Sequence, residues 1–214
     1  MDLESIQPPL KKLSDYFFGR LLLILVLITT LSHTPAAQSQ ILNYKVVQNN
    51  SVIGWLKLER KDSLNSSLIT SSSEIKKRFL LLFTIIENQE VLFQNGMMMR
   101  SYVYRKVNSD IKVNKRTTYT GNHYEVKKGK FLTLINLSSI TYNQLSLYFF
   151  EPVNVREVYS DNYERYLKIE KTGNEFYTME LPEGNKNYYY YKNGVCSKVK
   201  VEQSLFTIEF ILSD

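Results

Sequence analysis

Cysteine occurs once, at Cys196, and histidine twice, at His33 and His123, in a chain of 214 residues. That scarcity removes several kinds of chemistry. A lone cysteine forms no intrachain disulfide. One Cys and one His beyond residue 39 cannot make a zinc site without several carboxylates. A Cys–His nucleophile pair would need the fold to bring Cys196 and His123 together, whereas a turn histidine and a strand cysteine ordinarily serve surface and packing. No glycine-rich phosphate loop is present. The expectation is a chain with no cofactor, no metal and no catalytic motif, and so no enzyme.

What is abundant is aromatic and β-favouring: 16 Tyr and 11 Phe against a single Trp. The stretch Asn43–Lys61 sets the pattern. Two β-rich runs, Ile41–Gln48 and Val52–Lys61, flank Asn49-Asn50-Ser51. Val52, Gly54, Leu56 and Leu58 share one face while Lys57 and Glu59 point the other way, which is the strand period. A short Asn-rich connection makes the pair a hairpin.

The same unit recurs to the C-terminus. Turns are expected at Asn95-Gly96, Gly121-Asn122, Lys128-Gly129, Gly173-Asn174, Gly184-Asn185 and Asn193-Gly194. Gly54, inside a run, marks a bulge or a close backbone approach. Met97, Met99, Ser101, Val103 and Val107 are expected on one side of their run, and Tyr188–Tyr191 to place two rings in and two out. Phe79–Ile86 is continuously apolar and reads as a strand buried on both faces. Leu137–Tyr163 has no clear turn glycine and reads as a short helix or irregular crossover around Ile140–Phe150. The fold class predicted is all-β: a single antiparallel β-barrel, or a flattened or open barrel-like sandwich, of about ten to twelve strands with one short helical or irregular crossover.

The first 39 residues read as an export signal. Lys11, Lys12 and Arg20 precede the apolar run Leu21–Leu31, and Pro35 and Ala37-Gln38-Ser39 follow. The run is about half the ~20 residues of a membrane span. Cleavage after Ser39 is expected, with Ala37 the second choice, leaving one domain over 40–214 in the periplasm or at the cell surface. Lys11, Lys12 and Arg20 are balanced by Asp2, Glu4 and Asp15, so the domain keeps the full charge of +6.

Two constellations are candidates for function. Arg100, Tyr102, Tyr104 and Lys106 alternate along one strand, with Lys112 and Arg116 on the next; rings set between cations suit sugars or anionic groups. Glu151 follows two aromatics and precedes Pro152, a setting that could raise the pKa of a carboxyl, with Glu157, Asp161 and Glu164 further along. A glycosidase uses two such groups.

The chain also resembles an uncharacterised family of exported β-rich proteins from Gram-negative bacteria, a domain of unknown function. The residues that carry the likeness are Tyr44, Ile53-Gly54 with Leu56 and Arg60, Ser73-Glu74-Ile75, Phe93-Gln94-Asn95-Gly96, the LYFFEP stretch Leu147–Pro152 and YYYYKNG at Tyr188–Gly194. They span nearly all of 43–212. The resemblance implies an extracytoplasmic antiparallel β-protein, an open or flattened barrel, and it carries no functional residue. The expected role is a non-enzymatic envelope protein that binds an apolar, glycan or lipid-like ligand or an envelope partner. Nucleic acid is not expected as a partner, and the cleaved chain is not expected to be integral to the membrane. An envelope polysaccharide-acting enzyme using Glu151, or a small outer-membrane β-barrel, are the alternatives.

Overall fold

The structure, a computed structural model, describes residues 38–78, 82–203 and 206–213. The segment read as an export signal therefore lies outside the described residues except for Gln38 and Ser39, which open the first strand. In chain order the strands are β1 (Gln38–Gln48), β2 (Ser51–Ser63), β3 (Ser66–Arg78), β4 (Leu82–Gln94), β5 (Met97–Val107), β6 (Asp110–Tyr119), β7 (Tyr124–Lys128) and β8 (Phe131–Ile135). A single helical turn, α1 (Ser146–Phe149), precedes β9 (Glu157–Ser160), β10 (Arg165–Gly173), β11 (Phe176–Glu180), β12 (Lys186–Lys192), β13 (Val195–Gln203) and β14 (Phe206–Leu212). Fourteen strands exceed the ten to twelve expected; one of them, β9, is four residues long and sits in the stretch without turn glycines.

All fourteen form one antiparallel sheet in the order β8-β7-β6-β5-β4-β3-β2-β1-β14-β13-β12-β11-β10-β9. Every strand pairs with its chain neighbours except β8 with β9, and β1 with β14 joins the two halves. The free edges, β8 and β9, are therefore consecutive in the chain, separated by the crossover 136–156. The sheet curls so that the β9–β10 turn reaches the inner side of β5 and β6: Ser101 Oγ donates to Asp161 Oδ1, and Lys115 Nζ to the Asp161 carbonyl. The result is a barrel-like sheet whose edges overlap without hydrogen bonding to each other.

The opening hairpin forms as its sequence dictates. Asn49 and Asn50 take φ of 48° and 61°, the left-handed pair of a two-residue turn. Leu56 and Leu58 are buried while Lys57 points away. At Gly54 a Cβ would lie 2.2 Å from the Glu74 carbonyl oxygen, so the close approach expected there is real and excludes any side chain.

Bulges alter the expected faces elsewhere. The register slips between Leu92 and Phe93, so Arg100 and Met98 face consecutive partners and Met99 is the extra residue. Met98, rather than Met97 or Met99, is consequently the buried methionine. Phe79–Ile86 is also corrected. Residues 79–81 lie outside the described residues, and within β4 Phe83 is 39% exposed while Ile85 and Ile86 are half-buried. The Gly173 turn differs too, since its positive φ falls on Glu175. Tyr189 and Tyr191 face in and Tyr188 and Tyr190 out, the latter pair stacked on Phe176.

The middle of the crossover runs through the interior, with Ile140, Asn143, Leu145, Ser146, Leu147 and Phe149 buried, while Asn136, Ser138, Thr141, Phe150, Val153, Asn154 and Arg156 are exposed. Leu145 and Phe149 pack with Leu42, Leu58, Ile69, Val91 and Phe93 in one half of the core, and Leu147 packs with β10–β13 in the other. One helical turn and its flanking turns pair some of this segment's backbone groups internally, and the buried groups left over must find partners in the surrounding sheet. Tyrosine hydroxyls supply them. Tyr191 donates to the Leu147 carbonyl at 2.8 Å, Tyr142 to Phe150 at 2.6 Å and Tyr166 to Ser139 at 2.9 Å. Tyr124 donates to the Met98 carbonyl and accepts the Ile140 amide, both at 2.9 Å, while the Met98 amide donates to the Ile140 carbonyl at 2.7 Å. β9 joins the same strip through Tyr159 N to Tyr142 O and Gln144 N to Tyr159 O.

Tyr191→Phe removes one of these donors and leaves the Leu147 carbonyl buried. It should lower unfolding stability by about 1–3 kcal/mol, whereas Tyr190→Phe on the outer face should change it by less than about 0.5 kcal/mol. Urea unfolding of the two variants checks the difference.

Candidate functional site

Above α1, toward the end where β5 turns into β6, the interior is not filled. A cavity of about 360 Å³ lies between β2–β5 on one side and β12–β14 on the other, at the small end of the roughly 300–1,000 Å³ typical of ligand sites. Its apolar lining comes from Leu56, Leu145, Tyr148, Val199 and Phe210. Ser71 and Ser73 occupy inward positions of β3 where larger residues would close the space. At the other end of the strands Leu42, Leu58, Val91, Phe93 and Met98 do close it.

The polar side of the cavity is built by an inward cation. Arg105 Nε pairs with Glu87 and its Nη2 donates to Asn162 Oδ1 at 3.1 Å, while Gln89 donates to the other Glu87 oxygen. The cavity thus offers an apolar wall opposite an Arg–Glu–Gln row. Next to it lies a second polar cluster at the seam. Lys115, 4% exposed, reaches Glu164 Oε1 at 2.9 Å, and Lys128 reaches the same oxygen at 2.5 Å. Burial raises the Asp161 carboxyl above its ordinary pKa, against the pull of Ser101, Lys115 and Asn143. For Glu164 burial also acts upward, but hydrogen bonds from Lys128 and Lys115 outweigh it and hold the pKa low. The sequence reading assigns neither Arg105 nor Lys115 to a face; alternation puts them in phase with Val103 and Val113, and that is the signal by which they could have been found.

The four candidates on β5 are placed as follows. Ser101 and Val103 are buried, so Arg100, Tyr102 and Tyr104 share the opposite, outer face. There Arg100 pairs with Glu90 at 3.2 Å, and the Arg116 guanidinium sits 5.8 Å over the Tyr102 ring. Lys106 lies past a further register shift after Arg105. The carboxylates are not brought together. Glu151 lies by the β12–β13 turn, its amide donating to the Gly194 carbonyl, while Asp161 and Glu164 lie at the opposite end. Tyr177 donates to Glu151 Oε1 at 2.8 Å and Lys171 stands 3.9 Å from it, so this carboxylate ties the crossover to β10 and β11. Burial, then the Glu151 acceptor, pushes Tyr177 up to about 12. A groove of about 790 Å³ runs beside Tyr177 between 152–157 and Lys168–Lys171.

Cys196 and His123 stay apart. The thiol donates to the Lys198 carbonyl and burial pushes it up to about 12, whereas the His123 ring contacts Asn122 and Glu125. Among the described residues no cluster of three or more His, Cys, Asp or Glu could hold a metal, and no helix is long and apolar enough to cross a membrane.

An antiparallel, barrel-like sheet with a partly internal crossover and a cavity at one end defines the class: an open-barrel domain with an interior cavity. The chain belongs to a family described as a domain of unknown function, DUF6134, whose model matches residues 44–213. In fold it is similar to a β-barrel-like protein of another domain of unknown function, DUF1849, from Brucella abortus. That crystal structure is 10% identical in sequence with a TM-score of 0.52, over 81% of this chain and 95% of the other. No curated protein matches the sequence.

The opposite shifts of Glu164 and Asp161 fix the sign of a pH effect. A depressed folded pKa contributes stability that is present above the ordinary value of 4.5 and lost as pH falls through the lower folded value. The raised Asp161 works the other way, contributing most in acid and losing that as pH rises through its folded pKa. Glu164→Gln should therefore cost roughly 1.5–3 kcal/mol at neutral pH, and the deficit should shrink in acid. Thermal melts of both proteins from neutral pH to below 4.5 check it; parallel curves would contradict the assignment.

Proposed function

We propose that this is an exported, non-enzymatic envelope protein that holds an amphipathic small ligand in its interior cavity. The observation that carries the reading is the cavity itself, apolar on the α1 side and lined opposite by Arg105, Glu87 and Gln89. A ligand with an acyl or ring portion and a polar, hydrogen-bonding end fits that division. The outer face of Arg100, Tyr102, Tyr104 and Lys106 is the weaker claimant, since Glu90 and Arg116 already engage Arg100 and Tyr102. The filled apolar end of the interior, with Leu42, Leu58, Val91 and Phe93, and the exposed charges Lys57 and Arg100 on the outer face differ from the polar lumen and apolar outer band of a membrane-spanning barrel, which supports the reading that the domain does not span the bilayer.

Export is proposed from the leader-like segment before residue 40. Gln38 and Ser39 ladder with Asp62 and Lys61, so cleavage after Ala37 leaves β1 whole and cleavage after Ser39 shortens it by two pairs. One preparation tests both parts. The full chain is expressed in a Gram-negative host, recovered from the envelope fraction, sequenced at its N-terminus and analysed by native mass spectrometry. The expected result is a start at Gln38 or Gln40, with a small amphiphile bound. Ser73→Phe, which fills the cavity, should lose that mass and at least tenfold in affinity for 1-anilinonaphthalene-8-sulfonate while remaining folded. Met1 on cytoplasmic protein would overturn export, and unchanged probe binding by folded Ser73→Phe would overturn the cavity reading.

A further inference from the structure

The terminal strand β8 is exposed on both faces. Phe131 is 78%, Leu132 58% and Leu134 57% exposed, the densest run of large exposed apolar residues among those described. The turn that precedes it, Lys127-Lys128-Gly129-Lys130, is basic and contains no acid. Lys128 leans inward to Glu164, whereas Lys127 and Lys130 are exposed and make no ion pair among the described residues. The pairs Lys128–Phe131 and Lys127–Leu132 set each cation directly beside an apolar side chain. On the neighbouring hairpin, at the same end of the strands, Ile111 is 58% exposed next to Lys112.

Which surroundings suit such a hairpin follows from its geometry. Phe131 and Leu132 are consecutive residues of one strand, so they point to opposite faces. A partner strand added at the β8 edge would satisfy the backbone and leave both side chains in water. A flat protein surface would cover one face and leave the other. Only a medium that surrounds the strand covers both, and the lysines require that medium to be negatively charged at its border. The acyl–headgroup boundary of an anionic bilayer meets both conditions.

We propose that the β7–β8 hairpin docks this domain on anionic lipid surfaces, with Phe131, Leu132 and Leu134 entering the boundary and Lys127 and Lys130 lying among the headgroups. The cavity lies toward the same end of the strands, between β5 and the β9–β10 turn that Lys128 grips through Glu164. Docking there turns that end toward the lipid. The proposal goes beyond the cavity reading and does not depend on which ligand the cavity holds.

The test reads the hairpin itself, so that the N-terminal apolar run cannot supply the signal. Leu132→Cys in the full chain is labelled with a nitrobenzoxadiazole probe; the native Cys196 is fully buried and does not compete. A second protein carries the probe at Leu64→Cys, 79% exposed in the turn at the other end. Vesicles of equimolar phosphatidylglycerol and phosphatidylcholine should brighten and blue-shift the probe at 132 and not the one at 64. Pure phosphatidylcholine should do neither. Lys127→Gln with Lys130→Gln should raise the vesicle concentration for half response roughly 25-fold, about fivefold per lysine near an anionic surface. Ser73→Phe should leave the response unchanged, which separates this proposal from the cavity. A probe at 132 that stays dim on anionic vesicles, or answers neutral ones equally, overturns the proposal. Brightening that follows protein concentration without vesicles also overturns it and assigns the β8 edge to pairing between copies.

Discussion

A stretch of irregular chain inside a barrel is expensive to keep there, because every amide and carbonyl it carries has left water. Here the middle of the crossover between β8 and β9, around residues 140–149, is such a stretch, and tyrosine hydroxyls at its core and at both its ends help to make it tenable. Tyr191, Tyr142 and Tyr166 each donate to a crossover carbonyl, and Tyr124 bridges Met98 and Ile140. Burial raises Tyr142, Tyr191, Tyr124 and Tyr166 above the ordinary phenol pKa, which favours the protonated, donating form of each. The aromatic body of each fills core volume while its tip satisfies a backbone group, which no aliphatic residue can do. The tyrosine content of the chain thus serves the interior as much as the surface.

Once the crossover is fixed, the rest of the architecture follows. It occupies the space that a closed sheet of fourteen strands would leave open, and it carries β9 to a position inside β5 and β6 instead of beside β8. That displacement makes Lys115 and Arg105 necessary. They meet the β9–β10 turn through Asp161, Glu164 and Asn162, joining by side chains that turn to β5 and β6, strands with which it shares no ladder. It also limits how far the filling extends. A single helical turn spans one end of the interior, and with Ser71 and Ser73 on the wall the other end stays hollow. Cavity, seam cluster and free β8 edge are three consequences of one chain path.

How much of this can be read in the sequence depends on the range of the interaction. The hairpin at Asn49-Asn50 is local, and period and turn chemistry both declare it. The close approach at Gly54 is legible because glycine inside a strand has few other uses. Tyr188–Tyr191 divides inward and outward as alternation requires. Met98 was misplaced because a bulge depends on the partner strand, not on its own run. Phe83 reads as buried from its apolar neighbours, yet its exposure depends on where β4 stands in the sheet. Arg105 and Lys115 are assigned to no face from the sequence, although alternation sets them in phase with Val103 and Val113; an inward cation makes sense only once Glu87, Glu164 and the β9–β10 turn are known to face it. Asp161 and Glu164 are close to Glu151 in sequence and at the other end of the strands in space, a separation that only the path of the crossover reveals.

Residue-resolved amide hydrogen exchange on the native protein tests this account most directly. The crossover amides of Ile140 and Gln144 and the β9 amide of Tyr159 lie outside the main ladders, yet each is hydrogen-bonded in the interior. They are predicted to exchange as slowly as the central strands β1 and β2, opening only with the whole fold. The amides of β8, at a free edge, are predicted to exchange fastest of all the strands. A crossover exchanging like a surface loop, or a β8 as protected as β9, would contradict a barrel held shut from within.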